Sequence, residues 1–320
     1  MNIQLIRARK EDAELVHRLQ VAAFMPLYEK YHDDATSPAK ETLEKIIWKI
    51  EDVNGAFYLI YCDNTPIGGI RVRNHNGEKV EKYVNWISPI FIVSEFQNQG
   101  IASLVINKIF DLYPDTITWR LGTIKEEKGN CYLYEKLGFV RFGDEEIVNE
   151  CLTLIKYEKN CVNSRRLEPE DADKVSNIIT RNFLEINVKD YGIEKMKQAA
   201  AEYNADKVLQ IASYAHSYVF EVNNEIIACG SISSFWGSET ESILLTIFVK
   251  PELHGMGVGR RIIETLESDE LFRRATRVEI PASITGTEFY RKFGYDYKNG
   301  IKELDEEGHY RLEKFKEATL

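Results

Sequence analysis

The chain has 320 residues, which is enough for two domains of ordinary size that each bury their own core. Hydrophobic residues make up 44% and charged residues 29%, a balance typical of a soluble globular protein, and no apolar run approaches the ~20 residues of a membrane-spanning helix. The formal charge of −10 argues against nucleic acid as a partner and is compatible with cationic substrates.

The N-terminus and the cysteines both favour a cytoplasmic protein. The first residues lack the layout of a signal peptide, so we expect neither secretion nor a membrane partner. The five cysteines are scattered, odd in number and without a C-x-x-C pair, which fits reduced thiols and gives no zinc pattern. No metal is therefore expected.

Predicted secondary structure follows the same order in both halves of the chain. Each half begins with a strand and an acidic turn, where acids favour the start of a helix, and two helices follow. Two antiparallel strands with a turn-forming connector come next, then a strand running into a helix, a fifth strand, a short helix and a terminal strand. In the first half the strands are 3–8, 56–62, 66–73, 116–121 and 151–157, with helices at 12–28 and 42–51. In the second half they are 163–167, 217–222, 226–233, 277–280 and 309–315, with helices at 171–182 and 193–203.

Matching residues in the two halves keep a nearly constant separation. The offset is 159 between Ala13 and Ala172 and 156 between Tyr134 and Tyr290. So small a drift indicates an internal duplication of whole domains, because the period is far too long for a solenoid. We expect one domain at 1–160 and a second at 161–320, each α+β with a mixed, mostly antiparallel sheet flanked by helices.

One strand-to-helix junction occurs in both halves. A β-branched and aromatic run, 90–92 or 247–249, is followed by residues with small side chains and then by a helix. The first backbone N–H groups of such a helix have no internal partner, and the positive end of the helix dipole faces outward. Small side chains let an anion approach those N–H groups, so the junction predicts a phosphate site in each half.

The junction resembles the acetyl-CoA-binding motif of the GNAT acetyltransferases, which reads Gln or Arg, two residues, Gly, one residue, then Gly or Ala. Gln97, Gly100 and Ala102 fit this pattern fully; in the later copy the glycines fit and His254 replaces the Gln or Arg. The resemblance covers nearly the whole chain and implies two GNAT-like domains that bind acetyl-CoA. The residues that it implies for binding are Ile90, Phe91, Ile92, Gln97, Asn98, Gln99, Gly100, Ile101, Ala102 and Ser103, and Ile247, Phe248, Val249, His254, Gly255, Met256, Gly257, Val258, Gly259 and Arg260.

The motif strand carries a further expectation about its own shape. Pro89 cannot donate to a central ladder, so the strand that contains it is expected to be bulged or unpaired there. Backbone N–H groups freed by such splaying would stabilise the oxyanion of acyl transfer. By resemblance, residues 90–92 and 247–249 would line the pantetheine arm.

Tyrosine and glutamate are the candidates for the proton transfers. Tyr134 and Tyr290 stand where GNAT enzymes often place the acid that protonates the departing thiolate, and a phenol titrating near ~10 is protonated at neutral pH. Glu241 and Glu279 occupy positions where family members keep a basic carboxylate. The first half has no acid at either position, so we expect turnover in the second half.

The predicted function is transfer of acetyl from acetyl-CoA to a primary amine of a small molecule in a ternary complex. A protein N-terminus or lysine is an alternative acceptor, and a CoA-binding regulatory protein with one inactive half is another reading. A dinucleotide site, with glycines at 255, 257 and 259 and Glu279 at 20 residues beyond, is disfavoured because both copies follow antiparallel strands. The sequence leaves a homo-oligomer open.

Overall fold

The computed structural model describes residues 1–76, 79–80 and 82–316, so the last four residues of the expected second domain, 317–320, lie outside the described residues. The chain divides into two compact units, Met1–Cys161 and Val162–Leu320. Within the described ranges, no helix has the length and apolar character needed to cross a membrane.

The first unit contains four α-helices and nine strands in its described part. Thr42 begins the second helix by accepting a hydrogen bond from the Lys45 N–H at 3.3 Å, a standard N-cap. The helices α1–α4 are Ala13–Tyr31, Leu43–Glu51, Ile101–Leu112 and Lys128–Lys136. The strands β1–β9 are Ile3–Arg7, Gly55–Cys62, Thr65–Arg73, His75–Asn76, Lys79–Val80, Val84–Ile92, Thr118–Ile124, Val140–Asn149 and Leu152–Asn160.

The second unit repeats this plan with a more divided helical region after its first strand. A π-helical segment, Phe183–Asn187, continues directly from the first helix of the unit. The helices α5–α11 are Ala172–Asn182, Val188–Tyr191, Ile193–Glu202, Ala205–Ala212, Val258–Glu267, Glu270–Arg274 and Thr287–Arg291. The strands β10–β16 are Asn163–Arg166, His216–Val222, Glu225–Ser234, Glu241–Val249, Arg277–Ala282, Asp296–Tyr297 and Tyr310–Phe315.

The two main sheets have the same topology. Their strand orders are β1-β2-β3-β6-β7-β9-β8 and β10-β11-β12-β13-β14-β16-β15. Within these orders only β6 with β7 and β13 with β14 pair in parallel, and the other pairs of the two sheets are antiparallel. Both sheets are therefore mixed and mostly antiparallel, which confirms the predicted fold class.

Each sheet buries both of its faces under helices. In the first unit α1 and α2 cover one face, where Val16, Ile46 and Phe57 are almost fully buried, and α3 covers the other through Val105 and Ile106. In the second unit α5 and α8 pack on one face. There Gly230 lets α9 approach the opposite face, since a Cβ at this position would come within 2.5 Å of Ile262 Cγ2.

The hairpin connectors adopt the predicted turn conformation in both units. Asp63 and Asn64 have φ of 46° and 74°, and Asn223 and Asn224 have φ of 50° and 61°. Asn and Asp tolerate the left-handed region better than other non-glycine residues, so these pairs make tight two-residue turns. Among the elements that the sequence analysis missed are the strands Val140–Asn149 and Asp296–Tyr297 and the helix Ala205–Ala212.

Candidate active site

The motif strand leaves its parallel neighbour halfway along its length in both units. β13 pairs with β14 from Glu241 to Ile243, and the pairing ends there although β13 runs on to Val249. β6 likewise pairs with β7 only as far as Ile87. The two strands diverge beyond these points, which opens a gap in each sheet. There the edge of the motif strand that faces β7 or β14 has no ladder partner among the described residues, while its other edge stays paired with β3 or β12.

A bulge marks the point of divergence in each motif strand. In β13 the register with β12 shifts by one residue around Thr246, a β-branched residue at φ 49°. Such a conformation is unusual and is found mostly where function requires it. In β6 the shift lies between Ile87 and Ile90, and therefore includes Pro89. The predicted bulge and splaying of the motif strand are confirmed.

The helix that follows each motif strand begins at a glycine in the left-handed conformation. Gly100 and Gly257 are the N-cap residues of α3 and α9, with φ of 77° and 81°, and no side chain within the described residues caps either helix. The first N–H groups of both helices are therefore free to bind an anion. A Cβ at Gly259 would come within 2.9 Å of Phe289 Cζ, so a larger residue here would displace the Phe289 ring.

His254 makes the same contact as the glutamine that it replaces. Gln97 donates from Nε2 to the Ile92 carbonyl oxygen at 2.7 Å, and His254 Nε2 lies 3.0 Å from the Val249 carbonyl oxygen. Since a carbonyl only accepts, Nε2 of His254 carries the hydrogen. The histidine therefore closes the loop against the end of the motif strand as Gln97 does in the other unit.

A cleft of about 520 Å³ lies between the motif loop, β13 and the segment around α11 of the second unit. Arg260 and Lys292 line it beside the glycines, so cationic side chains and free backbone N–H groups face one space. Of the predicted binding residues of this unit, the lining includes Ile247, Phe248, Val249, His254, Gly255, Gly257, Gly259 and Arg260. Val258 is instead buried in the core, and Met256 is not among the lining residues.

The corresponding residues of the first unit divide in a similar way. Ile101 and Phe91 are buried and pack in the core, whereas residues 97–100 are exposed on the loop. Phe91 also contacts Phe24 with ring centroids 5.8 Å apart, as Phe248 contacts Phe183 at 5.5 Å. Both units therefore fix the motif strand to the first helical layer through one aromatic pair.

A second cavity of about 570 Å³ lies beside the cleft in the second unit. The splayed part of β13 lines both spaces, as do Tyr290 and Ser283. The wall of this second space, here called the chamber, includes three tyrosines besides Tyr290 and two carboxylates. They are Tyr191, Tyr203, Tyr214, Glu306 and Glu307.

The two candidate acid residues have different surroundings. Tyr290 is partly exposed and lines both the cleft and the chamber, whereas Tyr134 is only 5% exposed and packs against Phe139 and Tyr157 in the core. Burial raises the pKa of both phenols above the ordinary value. Both hydroxyls therefore stay protonated at neutral pH, but only Tyr290 lies where two cavities meet.

The structure does not bring the two candidate glutamates to Tyr290. Glu279 is fully buried and forms ion pairs with Arg277, with Arg311 and with Lys298 at 2.9 Å. Burial alone would raise the pKa of Glu279, but the hydrogen bonds from these three cations outweigh it and hold the pKa below its ordinary value. A carboxylate whose charge is balanced by three cations is a poor proton acceptor, so these contacts argue against Glu279 as the base.

Glu241 also forms an ion pair with an arginine. It lies at the start of β13, and its Oε2 accepts a hydrogen bond from Arg277 at 3.1 Å. The bulge at Thr246 is five residues further along the strand, toward the opposite end. Glu241 lines neither the cleft nor the chamber, so the structure speaks against it as the base as well.

Removing the buried carboxylate of Glu279 should destabilise the fold. We expect Glu279→Gln to lower the free energy of unfolding by about 1.5–3 kcal/mol at neutral pH, because the partly exposed Arg311 and Lys298 lose a charged hydrogen-bond partner while Arg277 keeps its other carboxylates. The pKa of Glu279 is lower in the folded state than in the unfolded state, so its contribution is full above the unfolded pKa and is lost as pH falls through the folded pKa. Urea unfolding at several pH values in that range measures the difference in the free energy of unfolding between the variant and the unaltered protein. We expect that difference to become smaller as the pH falls. Glu303→Gln, at an exposed position, should change stability by less than ~0.5 kcal/mol, and an equal loss there would contradict the assignment.

Two family models match the chain, one in each half. The model described as "Acetyltransferase (GNAT) family" matches residues 18–139, and that described as "Acetyltransferase (GNAT) domain" matches residues 213–297. Together they take in more than half of the chain. Comparison with curated proteins gives no match.

Several solved structures are similar to about half of the chain. An acetyltransferase from Thermus thermophilus has 16% identity and a TM-score of 0.40, covering 50% of this chain and 97% of its own. Spermidine N-acetyltransferase from Vibrio cholerae, in complex with CoA and spermine, has 18% identity and a TM-score of 0.40, covering 49% and 95%. An N-acetyltransferase from Staphylococcus aureus has 16% identity and a TM-score of 0.41, covering 50% and 99%. Likenesses of this size say nothing about substrate.

The family assignment therefore depends on the two model matches, and the sheet topology of both units agrees with it. The chain belongs to the GNAT acetyltransferase family, whose members are acetyl-CoA-dependent acyltransferases, and it carries one GNAT domain in each half.

Proposed function

We propose that the C-terminal domain transfers acetyl from acetyl-CoA to a primary amine of a small molecule by direct attack in a ternary complex. The observation that supports this most is the meeting of two cavities at Tyr290 and the splayed part of β13. One cavity adjoins the glycine loop, and the other is walled by aromatic and acidic side chains. Two substrates in these spaces would meet at the bulge.

The cleft residues fit the acetyl donor. The free N–H groups at the start of α9, together with Arg260 and Lys292, would hold its diphosphate. Ile247, Phe248 and Val249 would line the pantetheine arm along the unpaired edge of β13. Acetyl-CoA supplies an activated thioester whose carbonyl oxygen gains negative charge during transfer, and unpaired backbone N–H groups near the bulge would stabilise that charge.

Tyr290 would supply the proton that the departing sulfur needs. Its raised pKa keeps the hydroxyl protonated, and because Tyr290 lines both cavities it would lie between the donor and the acceptor. Phe289 contacts its ring with centroids 5.1 Å apart, which restricts the orientation of the phenol.

The size of the chamber favours a small acceptor. Its volume of about 570 Å³ lies within the usual range for small-molecule sites. Glu306 and Glu307 contribute negative charge to its wall, and Lys195 and Lys207 contribute positive charge. An ammonium group would therefore be attracted by the faces of the tyrosine rings and not by a net charge of the wall.

The N-terminal domain is proposed to bind the donor without a matching turnover site. Gly100 and the free N–H groups of α3 repeat the arrangement of the other domain. Tyr134 packs in the core, and Glu127, at the start of α4, is paired with Lys30 at 2.7 Å and accepts from the Tyr31 hydroxyl at 2.6 Å. The N-terminal domain would therefore still bind acetyl-CoA, but the tyrosine at the position of the catalytic acid is buried in its core.

Release of free thiol from acetyl-CoA in the presence of a panel of amines tests this function. We expect rapid release with at least one small primary amine and formation of its N-acetyl product in equal amount. Peptides with a free N-terminus or a lysine should release thiol far more slowly, because they are larger than the chamber. If peptides alone were acetylated, the acceptor would be a peptide and not a small amine. If no amine caused release of thiol, acetyl transfer would be refuted.

A further inference from the structure

A histidine that the sequence analysis did not single out lies on the wall of the chamber. His309 directly precedes β16, and it lines the same cavity as Tyr290 and the bulged part of β13. Its ring contacts Tyr191 edge to face, with centroids 6.1 Å apart. The ring therefore faces the space proposed for the acceptor.

The two ring nitrogens of His309 have different surroundings. Nδ1 is buried and lies 3.6 Å from Glu307 Oε2 and 4.0 Å from Asp305 Oδ1. Neither ring nitrogen has a hydrogen-bond partner among the described residues, but only Nδ1 is shielded from solvent. Two carboxylates near Nδ1 favour the hydrogen on that nitrogen, which leaves the lone pair on Nε2.

The loop before β16 holds this arrangement. Asp305 Oδ1 accepts from the backbone N–H groups of Glu307 at 3.0 Å and of His309 at 2.8 Å. Asp305 Oδ2 also lies 3.6 Å from Arg311 Nη1. These contacts fix both the carboxylate and the histidine backbone, so the ring has a defined position next to the chamber.

The charges around His309 oppose one another. Burial lowers the pKa of the ring, Asp305 and Glu307 raise it, and Lys195 and Arg311 lower it again; the result is a pKa below the ordinary value. The fifth neighbour, Tyr191, is itself neutral because burial raises the pKa of its phenol to about 12. His309 is therefore uncharged at neutral pH and able to take up a proton.

We propose that His309 is the catalytic base of the C-terminal domain and that its Nε2 accepts the proton of the acceptor's ammonium group. This inference rests on the proposed acetyl transfer to an amine. The neutral amine then attacks, the C–N bond forms and the C–S bond breaks. The sulfur takes a proton from Tyr290, and the phenolate regains one from the attacking nitrogen, which carries a surplus proton and a positive charge after the C–N bond forms. His309 then releases its own proton to water.

The acceptor amine must lose a proton before it can attack, and the free-energy cost of that step makes a base useful. Holding a lysine-like ammonium neutral at pH 7 costs about 3.4 pKa units, or roughly 4 to 5 kcal/mol. Neither Glu241 nor Glu279 lines the chamber, whereas His309 does. His309 therefore takes the role that the sequence assigned to those carboxylates.

The test compares His309→Gln with the matched variant His216→Gln, whose histidine pairs with Asp269 at 2.9 Å and does not line the chamber. With the amine that is turned over fastest, we expect kcat of His309→Gln at pH 7 to fall about 100-fold, the scale of a lost general base. The rate should recover as pH approaches the pKa of the ammonium. His216→Gln should keep kcat within about 2-fold, and calorimetric binding of coenzyme A should be unchanged in both.

A proton NMR titration supplies a readout that does not depend on turnover. The His309 ring resonance, identified by its absence in His309→Gln, should titrate below the ordinary histidine pKa of about 6.5. A ring that is still fully protonated at pH 7, and so cannot accept a proton there, overturns the inference. So does a His309→Gln variant with an unchanged kcat and pH profile, although acetyl transfer itself would then stand. Absence of thiol release by the unaltered protein would instead refute the proposed function.

Discussion

Tyr290→Phe should lower kcat for acetyl transfer by about 100-fold while the KM for acetyl-CoA changes little. The substitution removes only the hydroxyl, and loss of a general acid costs at least this much in enzymes of comparable chemistry. The aromatic ring and its contact with Phe289 remain, so the shape of the cleft is retained. Steady-state thiol release with a small amine, measured at saturating donor, provides the comparison.

Tyr134→Phe is the matched variant in the other domain. Tyr134 is buried against Phe139 and Tyr157, and removal of its hydroxyl leaves that packing in place. We expect kcat to stay within about 2-fold of the unaltered protein. A large loss for Tyr134→Phe with none for Tyr290→Phe would move the turnover site to the N-terminal domain.

Gly257→Val should weaken binding of acetyl-CoA to the C-terminal domain by on the order of 100-fold. Gly257 has φ of 81°, a conformation that costs a side-chain-bearing residue about 1–2 kcal/mol, and more when it is β-branched. Relaxation of the loop would turn away N–H groups that each contribute roughly 1.5–3 kcal/mol to a charged ligand. The value of kcat/KM for acetyl-CoA reports the loss directly.

Gly100→Val provides the control with the same backbone strain. Gly100 has φ of 77°, and a Cβ at either glycine would meet no described atom within 4 Å, so both variants strain the chain in the same way. Turnover in Gly100→Val should persist, while one of the two calorimetric sites for coenzyme A is lost. Equal loss of turnover in both variants would show that the effect is general destabilisation.

Local features of this protein were predictable from sequence, and contacts distant along the chain were not. The bulge at Pro89 follows from the missing N–H of proline, and the left-handed Gly257 follows from the small residues at the start of a helix. The strand Val140–Asn149 was missed because it is mostly exposed and contains a run of acidic residues, so it shows no apolar alternation. Its identity depends on pairing with β9, a tertiary contact.

The proton acceptor shows the same limit within the site. Glu279 looks available in the sequence because its three cationic partners lie 2, 19 and 32 residues away and follow no fixed spacing. His309 shows no recognisable motif, and only the fold places it on the same cavity as Tyr290. Lone carboxylates and histidines cannot be ranked as bases until their neighbours are known.

The left-handed glycine at the start of both α3 and α9 has a stoichiometric consequence. A chain with two acetyl-CoA-binding sites and one catalytic tyrosine would bind two molecules of acetyl-CoA for each one that it consumes in a catalytic cycle. The amount of acetyl-CoA bound would then exceed the amount that can react. When acetyl-CoA is scarce, the N-terminal domain would compete with the C-terminal domain for it.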